Sequence, residues 1–207
     1  MKSTILCLAL LAASCAAQPS EVEWADYGDT PELNPDFMAA WMAAVTPGQQ
    51  HAEFAKGVGS YNVSGQIWMS PGEPPMTMKA TATVEMILGG RYLLQHYESS
   101  FQGEEFKGVM LMGYDNLAQQ YWSLWIDSRS TGYSLSTGTE TGGVIELEGS
   151  MRDPNSPKGR PYRTVIRSAG AESGSAAPYA GAFTMTTYDT ARDGSEVKVM
   201  ELTYTKR

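Results

Sequence analysis

The stretch from Lys107 to Thr131, KGVMLMGYDNLAQQYWSLWIDSRST, constrains this chain most. Its first run, Val109 to Tyr114, is almost wholly apolar, and its second, Tyr121 to Asp127, alternates. Tyr121, Ser123, Trp125 and Asp127 share one face, while Trp122, Leu124 and Ile126 share the other. A period of two marks a strand with two unlike faces. Between the runs, Asp115 and Asn116 carry short side chains that cap their own backbone and tolerate turn geometry. The stretch is a β-hairpin. It specifies a fold and names no reaction.

The hairpin sits within a long series of similar runs. Strands are expected near 58–68, 76–88, 91–101, 106–114, 120–126, 132–139, 143–151, 161–168, 179–189 and 195–206. Turn chemistry separates them: Pro71-Gly72, Gly89-Gly90, Gln102-Gly103, Asp115-Asn116, Gly142-Gly143, Pro154 to Gly159, Gly170 to Gly174 and Asp193-Gly194. About ten consecutive strands with short loops predict an all-β domain with short N-terminal helices: an antiparallel up-and-down barrel, whose closure removes exposed sheet edges. A β-sandwich is the alternative, but it calls for long Greek-key crossovers that are not evident.

Upstream, Asn34-Pro35-Asp36 supplies an N-cap, a proline at the first helical position and an early acid. Phe37, Trp41 and Val45 follow at helical spacing, with Met38 and Met42 beside them. Thr46 to Gln49 repeats the start signal as a capping box, and a second helix carries His51 and Phe54 before stopping at Gly57 to Gly59. Residues 18–33 hold Pro19, Pro31 and several acids without periodicity and predict a tether.

The extreme N-terminus has one positive charge at Lys2, then an apolar run from Ile5 to Ala13 that is too short to span a bilayer as a helix. Ala13-Ser14-Cys15 fits a bacterial lipoprotein signal, in which the cysteine receives lipid. Ala12 departs from the pattern, which usually has leucine there. Ordinary cleavage after Ala16 or Ala17 is the competing expectation. The domain plan is therefore a signal peptide over 1–14, a tether over 15–33 and one barrel domain over 34–207. Cys7 leaves with the signal, so the mature chain has no partner for Cys15. Loss of one lysine and no acid takes the formal charge from −8 to −9. An acidic exported chain is a poor ligand for nucleic acid or anionic headgroups. The expected location is the bacterial cell envelope, periplasm-facing or outer-membrane, with membrane attachment through lipid alone.

The residues also carry a family resemblance. His51, Phe54, Val58, Gly59 and Tyr61, then Trp68 with Pro71-Gly72, Leu88-Gly89-Gly90-Arg91-Tyr92, Gly103 with Phe106-Lys107-Gly108, Gly113-Tyr114-Asp115 and Trp125-Ile126-Asp127-Ser128 with Thr131 resemble domain-of-unknown-function family 1579. The resemblance covers Gln49 to Arg207 and is densest from Gly89 to Thr131. Tyr61 stands where the family usually has tryptophan. The resemblance implies a calycin-like barrel, akin in architecture to lipocalins and fatty-acid-binding proteins, and implies no established activity.

Candidate chemistry is sparse. The two histidines, His51 and His96, have structural readings as hydrogen-bonded helix and strand residues. No paired-ligand spacing, HExxH or GxSxG occurs, so neither a metal nor another cofactor is expected. Asn62-Val63-Ser64 matches a glycosylation sequon but falls in an expected strand. Asp115 caps its own turn, and Asp127 pairs with an arginine or loop amides, or lies at a cavity mouth. Methionines and aromatic residues on consecutive strands either fill a barrel or line a cavity for an apolar guest. Tyr92, His96, Trp125 and Asp127 are the candidate ligand-lining groups, and they can act together only if their strand faces point inward. Three readings follow. The first is a binding module for a small apolar molecule, the second an accessory envelope lipoprotein with a filled barrel, and the third a haem or enzymatic barrel using His96 or His51.

Overall fold

The computed structural model describes residues 34–70, 72–101, 103–168, 179 and 181–207. The expected signal peptide, the tether and Cys15 lie outside the described residues. The chain divides into two compact units, Met1–Met38 and Ala39–Arg207, and the barrel belongs wholly to the second.

Ten antiparallel strands close on themselves in chain order. They are β1 (Gly59–Ile67), β2 (Met76–Ile87), β3 (Tyr92–Phe101), β4 (Glu104–Asp115), β5 (Gln120–Asp127), β6 (Ser134–Thr141), β7 (Val144–Asp153), β8 (Ser156–Ser168), β9 (Phe183–Thr190) and β10 (Glu196–Lys206). Pairing of β1 with β10, from Tyr61 opposite Lys206 to Ile67 opposite Met200, completes the barrel. Two helices precede it, α1 (Pro35–Val45) and α2 (Gln49–Lys56).

Two strands start elsewhere than the turn signals suggest. Pro154 to Gly159 looks like a long loop, yet β8 begins at Ser156. Asp153 Oδ1 accepts the Asn155 and Ser156 amides at 2.7 and 2.8 Å and closes a two-residue turn. At the other end of the hairpin pair, β9 begins at Phe183 rather than 179, and Tyr179 is instead a buried residue outside any strand.

The helix start signals also sort out differently. Asn34 caps α1 as expected, its Oδ1 accepting the Phe37 amide at 2.8 Å. Thr46 does not cap α2: its hydroxyl donates back to the Met42 carbonyl and finishes α1. Gly48 is the N-cap of α2, and the reciprocal bond comes from His51, whose Nδ1 accepts the Gly48 amide at 3.0 Å.

One end of the barrel is closed by α2. Phe54 enters it completely buried, and its ring meets Tyr121 at 5.7 Å and Tyr179 at 5.9 Å. Tyr179 leads on to Phe183 at 5.4 Å, and Phe183 stacks on Tyr204 at 4.4 Å. Such edge-on and stacked pairs stabilise beyond the area they bury. Their hydroxyls are placed as well: Tyr61 donates to the Gly57 carbonyl and Tyr179 to the Met112 sulfur.

The turns at this end hold α1. Leu88, Gly89 and Gly90 all take positive φ, of 50°, 69° and 80°, a sequence of backbone angles that glycine relieves. The turn delivers Arg91, which donates to the Val45 carbonyl at 3.0 Å. From the β4–β5 turn, Asn116 Nδ2 reaches the carbonyls of Ala43, Ala44 and Thr46 at 3.2, 3.1 and 2.8 Å. These are the carbonyls that a helix end leaves unpaired, and Arg91 adds a favourable charge there. Asp115, as expected, caps its own turn through the Leu117 and Ala118 amides.

His51 lies inside this plug. Its ring is buried, hydrogen-bonded to Gly48 and to the Tyr114 backbone carbonyl, and edge-on to Phe54 and Tyr114. A neutral imidazole protonated at Nε2 satisfies both bonds. Burial, above all, holds its pKa below the ordinary 6.5, with the Arg91 charge acting in the same direction. Between the depressed folded value and 6.5 the unfolded chain binds the proton and the folded one does not, so stability falls as pH drops through that window. The denaturant midpoint is therefore expected to fall as pH is lowered from about 8 to about 5.5. A His51→Gln variant, measured against its own value at the higher pH, should lose most of that slope.

Candidate functional site

In a closed barrel, alternation sends every second side chain inward. The inward set can be followed around the register. On β3 it is Leu93, Gln95, Tyr97 and Ser99; on β4 Phe106, Gly108, Met110 and Met112; on β5 Tyr121, Ser123, Trp125 and Asp127. On β8 and β9 it is Arg160, Tyr162, Thr164 and Ile166, facing Asp189, Thr187 and Met185.

Accessibility along this set changes from end to end. Near α2, Tyr61, Leu93, Met112, Ile145, Ile166 and Tyr204 are at most 2% exposed. In the middle, Gln95, Ser123, Ser136 and Thr164 form a buried polar belt, with Gln95 donating weakly to the Tyr204 hydroxyl. Towards the opposite end, Met78, Phe106, Trp125, Tyr162 and Met200 point inward yet are only partly buried. We call this end the mouth; at the α2 end Met86, Tyr114 and Met185 are the inward residues that stay partly exposed.

Three aromatic rings line one side of the mouth. Trp125 lies 6.0 Å from Tyr97 and 6.5 Å from Phe106, the latter at an interplanar angle of 20°. Tyr97 is edge-on to Phe106 at 6.1 Å. Glycine makes the arrangement possible, because a Cβ at Gly108 would overlap the benzo ring of Trp125. The indole N–H donates to Asp127 Oδ2 at 2.9 Å, and Asp127 Oδ1 accepts the Arg129 amide at 2.9 Å. Tyr97 donates to the Met78 sulfur, and burial pushes its hydroxyl up to about 12. The buried Ser99 hydroxyl lies beside it, and its interaction with the Tyr97 hydroxyl acts against that rise.

The other side of the mouth carries charge. Arg160 donates to Asp189 through Nε at 2.7 and 2.8 Å and also pairs with Asp153. The bond to Asp189 raises the Arg160 pKa. Beside Asp189, a hollow of about 160 Å³ opens between Trp68, Val197 and Lys198. It is smaller than the roughly 300 Å³ or more of most small-molecule sites.

These positions divide the candidate residues. Trp125 and Asp127 face inward and are bonded to each other. Tyr92 and His96 do not join them. They lie in phase with Leu94 and Glu98 on the outer surface, where His96 is exposed and Tyr92 packs against Trp122 at 5.7 Å. Trp122 in turn lies over Gly113 on that surface. The haem or catalytic reading needed a histidine inside the barrel. His96 points outward, and both nitrogens of His51 are occupied within the plug. Among the described residues, no set of three histidine, cysteine or acidic side chains is placed to hold a metal ion. Tyr97, Phe106, Ser99 and Arg160 are mouth residues that sequence reasoning missed. Tyr97 and Ser99 were findable, since they occupy the strand phase opposite His96.

The model of a protein family of unknown function, DUF1579, matches residues 46–206. The chain belongs to that family. Among curated proteins none matches it. Among solved structures it resembles "Crystal Structure of Rv2717c from M. tuberculosis", with 13% identity and a TM-score of 0.50 over 78% of this chain and 99% of that one. At that identity the likeness is one of fold, and it agrees with the DUF1579 barrel described above.

The Gly108–Trp125 pair supports two stability predictions. Trp125→Ala should destabilise the domain by about 3 kcal/mol, at the low end for large aromatic truncations because the ring is only partly buried. Gly108→Ala should cost about 1–3 kcal/mol through overlap with the indole. Equilibrium urea unfolding checks both, and an unchanged midpoint in either variant would contradict the packing.

Proposed function

We propose that this DUF1579 domain is an exported binding module that takes an apolar small molecule into the mouth of its barrel. The observation that carries the reading is that inward Phe106, Trp125 and Tyr162, at the end away from α2, are only partly buried. Ligand sites are concave and mostly apolar, with a few polar groups to fix orientation. The mouth offers Phe106, Trp125, Met78 and Met200 as the apolar part, with Asp127 as the polar part. Methionine suits a guest of variable shape.

Attachment to the envelope through lipidated Cys15 belongs to the same proposal. Its support is Ala13-Ser14-Cys15 after a short apolar run.

Two measurements test the proposal. The delipidated domain should bind the neutral fluorophore Nile red saturably, and substitution of Phe106 by a polar residue, Phe106→Gln, should weaken that binding while leaving a cooperative unfolding transition. No saturable binding would leave the filled-barrel accessory reading in its place. Intact-mass analysis of the protein from a bacterial host should show a chain beginning at Cys15 with added lipid, and a chain beginning at Ala17 or Gln18 without lipid mass would remove the anchor.

A further inference from the structure

The mouth also selects by charge. We infer that the ligand of this barrel is an amphiphile with a cationic head, an alkylammonium rather than a fatty-acid carboxylate, bound with its head between Asp127 and the Trp125–Phe106–Tyr97 rings. This rests on the binding reading above and narrows its ligand class.

The first argument is the state of Asp127. Among the described residues, its two oxygens accept only the Trp125 indole N–H and the Arg129 backbone N–H. Neither donor carries a charge, and among the described residues no ion pair involves Asp127. Arg129 turns its guanidinium to Glu104 instead, at 2.7 Å. An ionised carboxylate can accept about four hydrogen bonds, so capacity for a further donor remains. The two bonds it already has fix its position next to the indole.

The second argument is the sign of the remaining charge. Arg160 is the cation of the opposite wall, and both Asp189 and Asp153 hold it. Asp127, Asp153 and Asp189 stand against the Arg160 guanidinium, and Lys198 beside Asp189 is paired with Glu201. A carboxylate ligand would enter against that balance, and the guanidinium that might have received it is already paired. An ammonium enters with it.

The third argument is the ring cluster. A cation within about 6 Å of an aromatic face is attracted by the ring quadrupole, most strongly by tryptophan. Trp125, partly buried and inward, provides such a ring bonded to Asp127 at 2.9 Å, and Phe106 lies 6.5 Å from it. Inward Met78 and Met200, also partly buried, provide apolar surface for an alkyl chain.

The test uses three ligands with one chain length, decyltrimethylammonium, decanoate and 1-decanol, each below its micellar concentration. Each displaces Nile red from the full domain. Decyltrimethylammonium should displace the probe at a concentration at least about tenfold lower than decanoate. Asp127→Asn keeps an acceptor for the indole and removes the charge. It should bring the two within about threefold of each other and leave 1-decanol unchanged. Glu98→Gln, which removes an acid from the outer face of β3, should leave the preference intact. Equal or tighter binding of decanoate by the unmodified domain overturns the inference while the binding reading stands. Nile red binding that none of the three ligands displaces also overturns it. Failure of Nile red itself to bind overturns both. A cation preference abolished equally by Glu98→Gln would assign the effect to general surface charge and overturn the site.

Discussion

Everything in this structure depends on the seam between β1 and β10. There Gly65 lies against Glu201, and a Cβ at Gly65 would collide with the Glu201 carbonyl and the backbone beside it. The strands come that close because a closed sheet must coil sharply, and a glycine facing inward permits it. Gly138 plays the same part between β6 and β7, where a Cβ would meet the Glu146 carbonyl. Once the seam is made, the sheet has no free edge. Each side chain is then committed to the inside or the outside.

That commitment separates two ends with different physics. At the α2 end the interior is a knot of rings, and the tyrosines in it pay for their hydroxyls with hydrogen bonds to a carbonyl, a sulfur or an amide. Burial raises the pKa of Tyr61, Tyr179 and Tyr204 and pushes Tyr121 up to about 12. These hydroxyls stay protonated across ordinary conditions; those of Tyr61 and Tyr179 donate, and that of Tyr204 accepts from Gln95. The same end uses backbone carbonyls of α1 as acceptors for Arg91 and Asn116. The family motifs at Leu88 to Tyr92 and at Gly113 to Asn116 are thus turn and anchoring devices, and no chemistry need be sought in them. At the mouth, rings and carboxylates point inward without being sealed.

Much of the fold was legible because turn chemistry and alternation are local. The hairpin from Val109 to Asp127 forms as its pattern suggests, and all ten expected strands are present. What was not legible is which face turns inward. On β5 both faces carry an indole, Trp125 inside and Trp122 outside, so hydrophobicity alone could not rank them. On β3 the inward phase contains polar Gln95 and Ser99, whereas the outward phase contains Tyr92 and Leu94, so apolar content favours the phase of His96 over that of Tyr97. The start of β8 was hidden because Pro157 and Gly159 look like loop residues, while the deciding interaction is the Asp153 carboxylate on two amides. The Arg160–Asp189 pair joins residues on different strands through the barrel register, and no spacing along the chain announces it. His51 was visible as a helix residue, but its double role as cap for Gly48 and donor to Tyr114 needs the packed plug.

The contrast between the ends bears on what the mouth residues are for. A side chain selected only to stabilise a barrel is best buried and apolar, as Leu93, Ile145 and Leu147 are. Placing a hydroxyl such as Ser99 out of water costs free energy, and holding Asp127 inside the rim carries a desolvation cost as well. Neither residue is forced there by the backbone, since alanine fits a strand at either position. The plug shows that this chain can seal a barrel end when sealing is what the packing favours. Polar groups kept at the mouth, with their positions fixed by an indole bond and a glycine opposite the ring, set this end apart from the plug in both composition and packing.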